Sequence, residues 1–249
     1  MKNTFLSLVF LGSFFFAIPS QAEPLRFVTF EVAPYEYTEN GVIKGVNVDL
    51  TKEVFKRMQQ PITIEMVPFS RGLEMVKYGE VDGMIGVYKT PEREIYAEYS
   101  QAPTILGVVS LIVQKSAAIS FDGDFSKMSN YSFGFVRKFS YGKLFDNAVK
   151  DGLITKIDNA DSQVTNIKKL LGGRFEVLVS DRDSAMYHLK KMNKLNLVKT
   201  LRPSIQESPI HVIFSKKRGL DTIITKFNLE LAKLKNNVSY RKIVESYKP

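Results

Sequence analysis

The sequence contains no cysteine, which removes disulfides, thiolate catalysis and cysteine-ligated metal at once. Histidine is nearly as scarce: His188 and His211 stand alone, with no ligand spacing that a zinc site would need. The composition therefore predicts neither a metal site nor a cofactor. Long apolar runs are missing too, except at the N-terminus. There Lys2 precedes an apolar stretch from Thr4 to Phe16, and Ser20-Gln21-Ala22 forms a small-x-small cleavage pattern. The run is shorter than the roughly 20 apolar residues of a membrane span, and no basic cluster follows it. Residues 1–22 read as an export signal, so the expected location is the periplasm and nucleic acid is excluded as a partner.

What is abundant is positive charge, with 35 Lys and Arg against 26 Asp and Glu, a net +9 that falls to +8 without Lys2. Spread over a surface, such an excess keeps a protein soluble; concentrated in a cleft, it draws acidic partners. The run Lys216-Lys217-Arg218 reads as a solvated turn before the last helices.

Strand-like apolar runs alternate with segments of helical period. Strands are expected at Leu25 to Phe30, Ile62 to Val67, Val81 to Gly86, Ser132 to Val136, Leu153 to Ile157, Phe175 to Val179 and Leu195 to Val198. Helices are expected at Val46 to Met58, Arg71 to Tyr78, Tyr141 to Val149, Ser162 to Leu171 and Ser184 to Met192. This is the pattern of parallel sheets covered by helices. Ser116 to Asn130 breaks it as a loop. Gly107 to Gln114 and Pro209 to Ser215 are extended, and helices at Leu220 to Leu234 and Tyr240 to Tyr247 close the chain. Two α/β lobes joined by two crossings are the simplest arrangement. A weak internal echo agrees: "YGEVDGMIG" and "GGRFEVLVSD" both place a glycine, Gly79 or Gly173, where a left-handed residue ends a helix.

Open α/β sheets bind ligands beyond the carboxyl ends of their strands, so the residues after each strand are the candidates. They include Tyr35 and Tyr37 in a polar loop, Phe69 and Arg71, Tyr88, and the turn Thr90-Pro91-Glu92-Arg93. In the second half they are Ser140 with Tyr141, and Asp181. Thr90 is an N-cap residue and Pro91 suits the first helical position. Arg93 then stands where a capping box would place an acid, against the positive end of the helix dipole. It either pairs with Glu94 or Glu98 on a solvated face, or offers a bidentate fork to a ligand carboxylate. Ser140 is either an N-cap or a hydroxyl beside the anion-attracting start of a helix. Asp181 either caps the next helix, pairs with an ammonium, or does both. The aromatics are either core or ligand wall.

"GVNVDL", "YGEVDGMIG" leading to "TPERE", "YSQAP", "GGRFEVLVSD" and "NNVSYRKIVESY" resemble, in order and spacing, family 3 periplasmic solute-binding proteins of ABC transporters, the polar amino acid binders. The resemblance covers residues 23–249. It implies the two-lobe periplasmic binding protein fold of type II, each lobe a mainly parallel sheet flanked by helices, with two hinge crossings. Residues 23–106 and 210–249 would form one lobe and 107–209 the other. It implies that Arg93 grips a ligand α-carboxylate, Asp181 takes an α-amino group, Tyr35 covers the ligand, and Ser140 adds a hydroxyl. Gly86 and Tyr88 depart from the family, which carries small hydroxyl residues there, and Phe139 replaces a glycine; with Arg71 these make a bulkier, more basic cleft. The expected function is non-catalytic capture of a small polar or carboxylate-bearing metabolite, an amino acid or a related compound, by a monomer that delivers it to the membrane permease of an ABC transporter. An exported cyclohexadienyl-type dehydratase on the same fold, needing an acid such as Glu36, and a ligand-presenting sensory protein are the alternatives.

Overall fold

The computed structural model describes residues 23–247, so the export-signal reading of residues 1–22 lies outside the described residues. In chain order the elements are β1 (Leu25–Thr29), β2 (Tyr37–Glu39), β3 (Val42–Lys44), α1 (Val46–Arg57), β4 (Ile62–Met66), α2 (Phe69–Tyr78), β5 (Gly83–Tyr88), α3 (Pro91–Glu94), β6 (Ala97–Tyr99) and β7 (Ile105–Gln114). They continue with β8 (Phe133–Gly134), α4 (Lys143–Lys150), α5 (Gln163–Leu171), β9 (Val177–Asp181), α6 (Arg182–Lys191), β10 (Val198–Thr200), β11 (Gln206–Ser215), α7 (Asp221–Lys235) and α8 (Val238–Ser246).

The hydrophobic core is divided. One cluster draws on Phe27, Phe55, Met84 and Val212, together with Phe227 and Leu231 from α7, and takes nothing from the middle of the chain. Two others, around Leu111, Phe133 and Phe145 and around Ile112, Ile167 and Leu178, use only that middle. Phe139 and Tyr88 pack against both sides of the division. Separate cores with few shared residues are the physical meaning of two lobes.

In the first lobe β4, β1 and β5 run parallel, with Phe27 opposite Ile64 and Gly83. The return segment closes the core with four rings: Phe27–Phe55 at 5.1 Å, Phe55–Phe227 at 5.2 Å, Phe227–Phe214 at 5.3 Å and Phe214–Phe27 at 5.7 Å. In the second lobe β8 and β9 are parallel, and the long strand β7 joins them antiparallel. The two lobes share one continuous sheet because β7 and β11 pair antiparallel, Gln206 with Val109 through Ile210 with Ile105, before each runs on into a lobe.

Several local expectations need correction. Leu153 to Ile157 is not a strand; its sheet contact is a single bridge from Ile157 to Phe133. Leu195 to Val198 is a 3-10 turn that leads into β10. The loop after β1 instead forms the hairpin β2–β3, whose Asn40-Gly41 turn has φ of 52° and 78°, the left-handed pair that favours Asn-Gly. The turn 216–218 is not merely solvated: Arg218 Nε reaches the buried Asp82 carboxylate at 2.9 Å and ties the end of β11 to the start of β5.

The four-ring cluster makes α7 structural. Phe227→Ala is expected to cost about 3–5 kcal/mol in urea denaturation; a loss below about 1 kcal/mol would show that the return segment is dispensable to the first core.

Candidate functional site

The chain turns at Thr90 as its residue types predict. Thr90 is extended, its hydroxyl accepts from the Arg93 amide at 3.4 Å, and Pro91 opens the short helix α3. Glu94 pairs with Lys89 at 2.7 Å rather than with the arginine. Arg93 turns inward and is 7% exposed. Its Nη1 donates to the Tyr88 carbonyl at 2.8 Å and its Nη2 donates across the division to the Lys138 carbonyl at 3.2 Å. The guanidinium lies 5.1 Å from the centre of the Phe69 ring, a cation–π distance. Burial lowers its pKa, but a guanidinium stays charged.

Asp181 ends β9 and caps α6, where its Oδ1 accepts from the Ser184 amide at 2.9 Å. Its Oδ2 accepts from the Val108 amide on the crossing strand at 3.1 Å. Burial pushes the carboxyl up to about 6, partly opposed by the Ser184 hydrogen bond. Arg93 and Asp181, from different lobes, line one cavity of about 50 Å³ with Tyr35, Phe69, Gly86, Tyr88, Phe139, Ser140 and Tyr141. That is room for roughly three or four waters, so an amino-acid-sized guest requires the lobes to part. Phe139, from the second lobe, closes the cavity by packing on Phe30 at 5.5 Å and Phe69 at 4.7 Å. Tyr35 is buried with its hydroxyl unpartnered, and burial beside Asp181 raises its pKa, as it does that of Tyr88. Tyr141 contributes its ring, since its hydroxyl accepts from the Val136 amide at 3.0 Å.

Three expected site residues behave differently. Arg71 is exposed and does not line the cavity. The helix begins at Phe69, two residues earlier than its apolar period suggests, so Phe69 faces the cleft and Arg71 is rotated about 200° away. Ser140 lines the cavity but is not the N-cap, because α4 starts only at Lys143. Its hydroxyl donates to Asp146 Oδ2 at 2.5 Å, and Asp146 Oδ1 accepts from the Tyr141 amide at 2.9 Å. The Ser140 hydroxyl and the Tyr141 amide, foreseen as donors to an anionic ligand group, are thus both engaged by the protein's own Asp146 carboxylate. Tyr37 is not in the cavity either; it packs on Tyr187 and Tyr247.

Among the lining residues that the pattern of strand ends did not assign to binding, which include Phe30, Val32, Gln163 and Ile210, the ionisable one is Glu36. It is 1% exposed and lines the cavity, with Oε1 accepting from the Asn47 amide at 2.6 Å. Gly86 makes this possible: its φ is +89°, and a Cβ there would fall 2.3 Å from Glu36 Oε1. Burial pushes the Glu36 carboxyl up to about 8, opposed by Asn47 and reinforced by the Asp181 charge. The signal in the sequence was Gly86 itself, since a lost side chain at a strand end leaves space for another group.

The chain belongs to the bacterial extracellular solute-binding proteins, family 3, whose model matches residues 26–249. It is 23% identical to the arginine-binding periplasmic protein of Mannheimia haemolytica over 99% of this chain and 98% of that protein. A histidine kinase sensor domain similar to periplasmic binding proteins superposes with a TM-score of 0.80 at 16% identity, over 91% of this chain and 96% of that one. The substrate-binding protein of an amino acid ABC transporter gives 0.76 at 20% identity, over 90% and 99%. These likenesses make the fold that of periplasmic binding proteins and the role solute binding.

A raised carboxyl pKa favours the folded state when protonated. The Glu36 contribution is therefore complete below its ordinary value of 4.5 and is lost as pH rises through about 8. Glu36→Gln is expected to stabilise the unliganded protein at pH 8.5 by on the order of a few kcal/mol and to change little at pH 4. Thermal melts across that range check this, and equal destabilisation at both pH values would contradict a buried neutral acid.

Proposed function

We propose that the chain captures a small nitrogen-bearing polar solute, an amino acid or a related compound, between its lobes and, as a periplasmic monomer, delivers it to the permease of an ABC transporter. The observation that carries this is the meeting of Arg93 and Asp181, from opposite lobes, at one cavity. A solute touching both stabilises the closed form selectively, and only such a differential contact shifts an open–closed equilibrium. The names of the relatives support an amino-acid-like ligand, and the N-terminal pattern of residues 1–22 supports export.

A sensory role is the second reading, favoured by the likeness to a kinase sensor domain. Both roles need the same capture step and differ in the membrane partner, which copurification separates. A catalytic reading draws on Glu36, an acid in the cavity with a pKa near neutrality. Incubation with a cyclohexadienyl carboxylate should yield no product if the protein only binds.

A thermal-shift panel of amino acids, amines and organic acids tests the proposal. A true ligand at about 100 times its Kd should add about 2.7 kcal/mol of stability. Asp181→Asn should remove the shift while the protein still melts cooperatively; an undiminished shift would place the ligand elsewhere.

A further inference from the structure

The cavity holds two buried carboxyl groups, and among the described residues no cationic side chain pairs with either. Asp181 accepts from two backbone amides and Glu36 from the Asn47 side chain. Neither makes an ion pair among the described residues. Arg93, the one cationic side chain lining the cavity among the described residues, is held by two backbone carbonyls and the Phe69 ring. The Ser140 hydroxyl, foreseen as a donor to an anionic ligand group, instead donates to Asp146, which lies outside the cavity lining. Tyr35, Tyr88 and Tyr141 add aromatic surface, whose faces attract cations. Buried carboxylates without a cationic partner are costly unless a guest supplies the charge.

We propose that Glu36 and Asp181 form a joint seat for a cationic nitrogen, so that the solute carries an amine or guanidinium and a net positive charge. This rests on the solute-binding reading of the cavity and names the class of solute. Glu36 is set in advance for the role. The Thr104 hydroxyl donates to Asn47 Oδ1 at 2.8 Å, which turns the amide nitrogen of Asn47 toward Glu36, and the bare Gly86 receives the carboxyl.

The groups facing Glu36 fix the pH dependence. Asp181 and Glu31 repel its charge, Tyr88 is an uncharged neighbour, and burial outweighs the Asn47 hydrogen bond. The carboxyl is therefore protonated at neutral pH in the empty site and gives up its proton when a cation is seated. Affinity should rise about tenfold per pH unit toward pH 8 and level off above it.

Titration calorimetry on the mature chain tests this with arginine, lysine, agmatine and putrescine against glutamate, glutamine and succinate, from pH 6.5 to 8.5. The expected result is selective binding of one or more of the four cations, strengthening with pH. Glu36→Gln should lose about tenfold or more at pH 8 and flatten the dependence on pH, while Glu36→Asp, which keeps the charge, should retain the dependence and serves if the first variant folds poorly. Tighter binding of glutamate, glutamine or succinate would overturn the cationic seat and leave solute binding standing. A Glu36→Gln variant with unchanged affinity and pH slope would overturn the role of Glu36 and leave Asp181 as sole anchor. Failure of all seven compounds to bind would count against both readings.

Discussion

The antiparallel pairing of β7 with β11 is the constraint on which the site depends. Over Ile105 to Val109 and Gln206 to Ile210 two strands carry the chain between lobes and hydrogen-bond to each other as they do so. Asp181 accepts from Val108 within this ladder. Glu36 reaches the same ladder through Asn47 and Thr104, whose hydroxyl also contacts the Ile210 carbonyl at 3.0 Å. Both cavity acids are thus fixed to the backbone about which the lobes would turn. By contrast, the contacts that hold the lobes together over the cavity are weak one by one: Phe139 on Phe30 and Phe69, one Arg93 N–H on the Lys138 carbonyl and, beside the cavity, Tyr37 on Tyr187. Each is worth about 1 kcal/mol, small enough for a solute to compete with.

The fold was legible because βαβ units announce themselves in period and punctuation. Val46 to Met58, Ile62 to Val67 and Ser162 to Leu171 lie within a residue or two of α1, β4 and α5. Strand extent and existence were less legible where pairing is short: β8 lies inside the expected Ser132 to Val136 but keeps only two residues, and Leu153 to Ile157 has apolar character but almost no partner. The hairpin β2–β3 was readable from Asn40-Gly41 but was obscured by the polar residues around it.

In the site, Arg93 and Asp181 could be singled out because each breaks or completes a local rule of helix capping. Arg71 could not be placed, since a shift of two residues in a helix start turns a side chain from cleft to solvent. Ser140 depended on a partner six residues on, and Glu36 on a glycine fifty residues away; neither relation is periodic. Glu36 also corrects the charge argument. A chain with a net charge of +9 surrounds a cavity with two acids and one engaged arginine, so overall charge says little about the solute.

Capture between the lobes requires that both meet the solute at this one cavity. A crystal structure of the mature chain with the compound that most raises its melting temperature tests this directly. It should show the compound between the lobes, with a nitrogen within hydrogen-bond distance of both Glu36 and Asp181 and with Phe139 displaced from or repacked against the guest. A compound bound to one lobe only, or outside the cavity, would contradict it.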